Sequence, residues 1–301
     1  MNTKKILITG SNGMVGTSLL SLLRNKEKKY TVLATDLVPD KDNNIELLDV
    51  RIEVDVILAI TSFNPDVIIH LAAITNLEEC ESDPDNSWNT HVNGVRNILY
   101  HAPKNCQIIH ISTAGVFDGY NSRAYTENDI PNPLNVYGKT KLVGEQLMMN
   151  NSVVLRPGWM FGGGRGKDKK FVSYILNSLK NKKDIIPVVD DKFGTPTYTV
   201  ELSKIIIKII DNDIRKGLYH VVSSGSTNRL SIAREILKHY DLSDKIKIIP
   251  VGSDYFKKSF SVPRASSEVL DNSIVINELK YVIPSWKDSL HEYLNDYWRK
   301  I

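Results

Sequence analysis

Tyr137 and Lys141, in the stretch PLNVYGKTKLVGE (133–145), stand four residues apart in a segment that reads as the start of a helix. Four residues is one turn, so the two side chains share a face. A phenol titrates at about 10, and an ammonium held beside it favours the phenolate. The pair is therefore a candidate proton donor with its tuner, and the spacing predicts a lowered Tyr137 pKa. Taken alone, a surface tyrosine lying over a lysine stem is the plainer reading. The rest of the chain has to decide between them.

A second constellation lies at the start. ITGSNGMVGTSLL puts Gly10, Gly13 and Gly16 between an apolar strand-like run, KKILITG, and a helical one, with Val15, Leu19, Leu22 and Leu23 on helical spacing. Glycines there let the backbone turn sharply and approach a pyrophosphate at a helix N-terminus. Asp36 closes the next strand, YTVLATD, where a carboxylate can receive adenosine ribose hydroxyls. A tight turn with an unrelated aspartate is the alternative. Asp36 would repel a 2′-phosphate, which favours NAD(H) over NADP(H), although Arg51 or nearby lysines offer that phosphate a partner. The glycine- and lysine-rich GGGRGKDKKF (162–171) lacks the G-x-x-x-x-G-K-[ST] spacing of a P-loop. It reads as a mobile, solvated loop at the edge of a second lobe, with Arg165 and Lys167 as weaker candidates for touching an anionic substrate.

These groups need a scaffold. Apolar runs at 4–10, 30–36, 65–73, 106–113 and 152–158 alternate with amphipathic segments, the pattern of a parallel sheet covered on both faces. Later, VELSKIIIKIID, LSIAREILKHY and SWKDSLHEYLNDYW read as helices and GLYHVVS as one more strand. The 301 residues carry 42% apolar and 24% charged side chains and a net charge of +3, a globular balance that predicts neither nucleic-acid nor membrane binding. Cys80 and Cys106 fit no metal or redox spacing, no metal site is expected, and a reducing cytoplasm suits them. No stretch approaches the roughly 18 apolar residues of a membrane span.

Glycine turn, HIST strand and Tyr137-x-x-x-Lys141, in that order, resemble the extended short-chain dehydrogenase/reductase superfamily. ISTAGVFDG, YTENDIPNPLNVYGKTKLVGE, GTPTYTVELS and SVPRASSEVLDNS more narrowly resemble the dTDP-4-dehydrorhamnose reductases. The resemblance implies an α/β fold: a Rossmann-type doubly wound parallel sheet with a smaller C-terminal α/β substrate lobe. Residues 1–155 plus about 192–222 would bind the dinucleotide, and about 156–191 plus 223–301 the substrate. It further implies that Tyr137 protonates a substrate carbonyl oxygen as hydride reaches the carbon. Lys141 would hold the nicotinamide ribose and depress the Tyr137 pKa, and Thr113, with Ser112 as runner-up, would donate to the same oxygen.

Further positions carry over from the same families. Gly10, Gly13, Met14, Val15 and Gly16 match the pyrophosphate turn, Asp49-Val50 an adenine-side pair, and Ala72-Ala73 the strand end passing the cofactor. Thr75, Leu77 and Trp159 match sugar-pocket positions, although Leu77 and Trp159 suit a core equally well. Asn93 matches a backbone-holding position, with a plain helix-surface asparagine as its alternative. Arg264 matches a diphosphate ligand, with an ordinary exposed arginine as its alternative. The chain departs from the reductases at Ala114-Gly115, where they carry Asp-Tyr, so the residue that would contact the sugar is missing. The same Ala-Gly argues against a 4,6-dehydratase. The expectation is NAD(P)H-dependent reduction of a nucleotide-linked 4-keto-6-deoxyhexose in cell-surface polysaccharide biosynthesis, by a cytoplasmic enzyme for which a homodimer is the possible assembly. A sugar-nucleotide epimerase is the enzymatic alternative. A non-catalytic dinucleotide-binding subunit, as in methionine adenosyltransferase, is the other.

Overall fold

The structure, a computed structural model, describes residues 3–24 and 26–300. Its first half runs β1 (Lys4–Thr9), α1 (Met14–Arg24), β2 (Tyr30–Asp36), β3 (Ile45–Leu47), α2 (Glu53–Phe63) and β4 (Val67–His70). Two short helices, α3 (Leu77–Ser82) and α4 (Pro84–Trp88), occupy what reads in sequence as polar loop. A π-helical turn, Asn89–Asn93, then leads into α5 (Gly94–His101), β5 (Gln107–Ile111), α6 (Val136–Met148) and β6 (Val153–Arg156). The second half runs β7 (Met160–Phe161), α7 (Phe171–Lys180), β8 (Ile185–Val189), β9 (Phe193–Gly194), β10 (Thr197–Tyr198), α8 (Thr199–Asp211) and β11 (Gly217–His220). It ends with β12 (Thr227–Asn228), α9 (Arg229–His239), β13 (Lys247–Val251), β14 (Ser267–Glu268), α10 (Ser273–Leu279) and α11 (Trp286–Tyr297).

The seven-stranded sheet has the order β11-β6-β5-β4-β1-β2-β3, and all its pairs are parallel. Both faces are covered, as the continuous apolar strands require. Ile6 and Ile8 of β1 join a core with α1 and α8, while Leu7 between them joins one with α2, α5 and α6. The order reverses between β4 and β1, so the crevice for a ligand lies beyond the carboxyl ends of those strands. A third core packs α7, α9 and α11 over β8 and stacks Phe161 on Tyr198, with Tyr293 tilted against both. Two small sheets, β13-β8 and β12-β9-β14, belong to this second region. Among the described residues no helix is long and apolar enough to cross a membrane.

The segment 162–171, expected to be a mobile, solvated loop, is packed at Gly162–Gly164 and Asp168, while Arg165, Gly166 and Lys169 are exposed. Gly163, at φ +74°, lies so close to α1 that a Cβ would come within 2.8 Å of the Met14 Cα. Asp168 is buried and accepts from the Lys170 backbone N–H at 2.9 Å. Arg165 donates to Tyr297 O at 2.5 Å, and its guanidinium lies 4.7 Å from the centre of the Trp298 ring.

Candidate active site

Helix α6 starts where its cap requires. Asn135 has an extended backbone, its side-chain oxygen accepts from Gly138 N–H at 2.9 Å, and its amide donates to Pro263 O at 2.8 Å. A Cβ on Gly138 would sit 2.3 Å from Gly115 O, so only glycine lets the helix seat against the Thr113–Gly115 turn. Tyr137 and Lys141 then face the crevice together with Thr113. Thr113 Oγ1 accepts from Gly115 N–H at 3.0 Å, which leaves the hydroxyl hydrogen free to donate elsewhere.

Burial pushes the Tyr137 pKa up to about 12, with the Thr113 hydroxyl bond acting in the opposite direction. This corrects the lowered value expected from the sequence. Lys141 points its ammonium at Ile111 O, 2.5 Å away, and burial lowers its own pKa to about 8. The phenol is thus a protonated acid at neutral pH, and lysine spends a donor on the end of β5.

Ser112 and Thr113 are adjacent on extended chain, so their side chains diverge. Ser112 Oγ donates to Glu145 Oε2 at 2.5 Å, under α6, where Arg156 also grips Glu145 through Nε (3.0 Å) and Nη2 (2.5 Å). All three side chains are buried. Ser112 is therefore committed to the support of α6, which removes its hydroxyl as the runner-up donor. Asn93 is corrected too: its amide donates to Asn89 on the helix surface, at 2.7 Å. The residue that holds backbone beside the site is His91. Its Nε2 accepts from Ile74 N–H at 3.0 Å, so its Nδ1–H donates to Thr140 Oγ1 at 2.8 Å. Burial and the nearby Lys141 charge hold it neutral, down to about 3.

The glycine turn fits a dinucleotide. At Gly10 (φ +73°) a Cβ would lie 2.7 Å from Ala72 N, and at Gly16 2.3 Å from Ser11 O, so side chains would fill the cradle. Met14, Val15, Asp49, Val50, Ala72 and Ala73 line the same cleft. Asp36 accepts from the Asn12 and Val38 N–H groups, both at 2.9 Å. Arg51 is clamped to Asp49, from which its Nη2 stands 2.6 Å away. Lys167 reaches back to Asn12 Oδ1.

The cleft, about 1660 Å³, continues along a second wall carrying Thr75, Leu77, Trp159 and Arg264. Lys170 Nζ donates to Thr75 O at 3.1 Å. Trp159 is at positive φ (+29°), and its indole N–H donates to Glu268 Oε2 at 2.6 Å. Arg264 donates two bonds to Glu78, at 2.8 and 2.9 Å, and one to Val262 O. Asn135, His91, Lys170, Arg229 and Glu268 also reach this region, and the sequence reading does not include them. Asn135 alone left a local signal, a polar cap three residues before Gly138.

The family model described as RmlD substrate binding domain matches residues 4–299. The chain belongs to that family. It is similar to a dTDP-4-dehydrorhamnose reductase of Aggregatibacter actinomycetemcomitans, 37% identical over 229 residues covering 72% of each chain. Among solved structures it resembles a dTDP-4-dehydrorhamnose reductase of Clostridium acetobutylicum (TM-score 0.84, 31% identity, 97% of this chain and 98% of that one). It also resembles that of Bacillus anthracis in complex with NADP (TM-score 0.84, 27% identity, 98% and 100%). The RmlD-family chain is an NAD(P)-dependent oxidoreductase of the extended short-chain dehydrogenase/reductase superfamily.

Proposed function

We propose that this enzyme reduces the 4-keto group of a nucleoside-diphosphate-linked 6-deoxy-4-ketohexose, in the building of deoxysugars for cell-surface polysaccharide. The observation that carries the reading is the convergence of Thr113, Tyr137 and Lys141 on one cleft that begins at the glycine turn. A bound nicotinamide dinucleotide would supply the hydride. Tyr137, protonated at rest, gives its proton to the carbonyl oxygen. Thr113 donates a hydrogen bond to the same oxygen and, once the proton has left, to the phenolate. Lys141 binds the ribose hydroxyls, and its charge offsets the phenolate that forms.

Gly10, Gly13, Met14, Val15 and Gly16 cradle the pyrophosphate, with Asp49, Val50, Ala72 and Ala73 along the dinucleotide. Asp36 faces the adenosine ribose, and Arg51 is neutralised by Asp49, which supports NADH over NADPH. The relative from Bacillus anthracis holds NADP, so relative kcat/KM for the two is the deciding measurement. Residues 1–155 plus about 192–222 form the dinucleotide-binding part and the remainder the substrate part, with Thr75, Leu77 and Trp159 against the sugar. Gly115 stands where the reductases carry the tyrosine that would contact the sugar. A Cβ there would sit 3.3 Å from Thr113 Oγ1 and 3.6 Å from Tyr137 Cε1, so the glycine keeps the floor beside the reacting carbonyl open.

The test is oxidation of NADH or NADPH by the purified protein with an enzymatically generated dTDP-4-keto-6-deoxyhexose. Consumption that vanishes in Tyr137→Phe supports the reductase. Tight cofactor binding with no consumption on any 4-keto sugar nucleotide would overturn it.

A further inference from the structure

Arg229 opens α9 and lies on the second wall of the cleft, far along the chain from Trp159. Its guanidinium carbon is 4.9 Å from the Trp159 ring centroid and 5.1 Å from that of Phe171, so two aromatic rings flank it. Among the described residues it has no hydrogen-bond acceptor and no carboxylate within ion-pair distance. Glu268 and Arg264 are the charges near enough to bear on it. Glu268 is held by the Trp159 indole N–H at 2.6 Å. The guanidinium is thus fixed by its flanks while its N–H groups remain unspent.

Arg264, which the family resemblance assigns to the diphosphate, is in the opposite condition. Its charge is matched by Glu78, and three of its bonds are taken by Glu78 and Val262 O. Lys192 and Lys170, on the same wall, each spend a donor on a carbonyl, Arg264 O and Thr75 O, both at 3.1 Å. A phosphate that approaches Arg264 meets a charge already matched by Glu78 and a guanidinium with two of its five N–H groups left. It displaces no protein group to reach Arg229, and a planar, pre-oriented guanidinium matches two phosphate oxygens in a fork.

We propose that Arg229, rather than Arg264, is the guanidinium that holds the diphosphate of the nucleotide sugar, with Trp159 and Phe171 fixing its plane. The proposal rests on the nucleotide-sugar reading above. Partial burial between rings, with the nearest carboxylate, Glu268, held by the Trp159 indole and not bonded to the guanidinium, makes the charge costly without an anion, and a diphosphate is the anion that this substrate class brings.

The experiment is calorimetric titration of dTDP, UDP and GDP, and of the matching nucleosides, into the full chain saturated with oxidised cofactor. Wild type, Arg229→Gln, Arg229→Lys and the charge-neutral pair Arg264→Gln/Glu78→Gln are compared. Arg229→Gln is expected to lose about ten- to a hundredfold in diphosphate affinity, the loss of a charge-assisted fork. Nucleoside affinity should stay unchanged, Arg229→Lys should recover part, and the Arg264/Glu78 pair variant should lose less than about threefold. Unchanged cofactor affinity in each variant reports an intact fold. Wild type that binds no nucleoside diphosphate would overturn the nucleotide-sugar reading itself. Diphosphate binding that survives Arg229→Gln, or that falls further in the Arg264/Glu78 variant, would overturn only the assignment of Arg229.

Discussion

The two walls of the cleft are built in opposite ways. The wall carrying Thr113, Tyr137 and Lys141 comes from one continuous stretch, β5, its turn and α6, and the polar groups that support Thr113 and Tyr137 are already engaged. Lys141 holds Ile111 O, Ser112 and Arg156 hold Glu145, and His91 joins Ile74 to Thr140. The facing wall gathers Thr75, Trp159, Arg229, Arg264 and Glu268 from segments far apart in the chain, and leaves Arg229 unsatisfied. A wall that must hold reacting atoms within fractions of an ångström is fixed by the protein's own bonds. On the facing wall the donor left in reserve is the Arg229 guanidinium, while Trp159, Arg264 and Lys170 are bonded within the protein.

The contrast can be broken at four places. Removing the acid itself should act most strongly: Tyr137→Phe should lower kcat by about three orders of magnitude while cofactor affinity, measured by fluorescence, is kept. Breaking the support beneath it should cost stability instead. Glu145→Gln leaves Arg156 buried and poorly paired, and urea unfolding should show a loss of about 3–5 kcal/mol, whereas Glu145→Leu with Arg156→Leu together should recover much of it.

The third is a pH effect. Lys141 titrates at about 8, below its ordinary value, so its charge is present at neutral pH and disappears as pH rises through that value. Tyr137, at about 12, stays protonated throughout. The kcat/KM for reduction, which reports the free enzyme, should therefore fall above about pH 8, approaching tenfold per unit, and a Lys141→Met profile should lack this inflection. The smallest effect lies at the far end of the dinucleotide cradle. Asp36→Ser should move the NADH/NADPH ratio of kcat/KM about tenfold towards NADPH, and an unchanged ratio would remove Asp36 from cofactor choice.

Much of the engaged wall is legible in the sequence because its parts are local. An i, i+4 pair, a glycine triplet between strand and helix, and unbroken apolar strands each leave a short-range signal. The expected fall in the Tyr137 pKa failed because burial outweighs a lysine whose ammonium is turned to Ile111 O. β3 is only three residues long, and α2 exposes Val54 and Leu58, which blurs its period. The facing wall is the hard part. Arg229 and Glu268 look like surface charges in their own neighbourhoods, and the loop 162–171 reads as solvated because Met14 and Asn12, which it packs on, lie at the other end of the chain's first half.

The loop 162–171 bridges the two walls. It touches the dinucleotide turn through Gly163 and Lys167 and the opposite wall through Lys170 on Thr75. A ligand on either side that shifts it alters the binding free energy on the other. Thermodynamic reciprocity then fixes the two effects as equal: whatever factor the cofactor adds to the sugar nucleotide's affinity, the sugar nucleotide returns to the cofactor's.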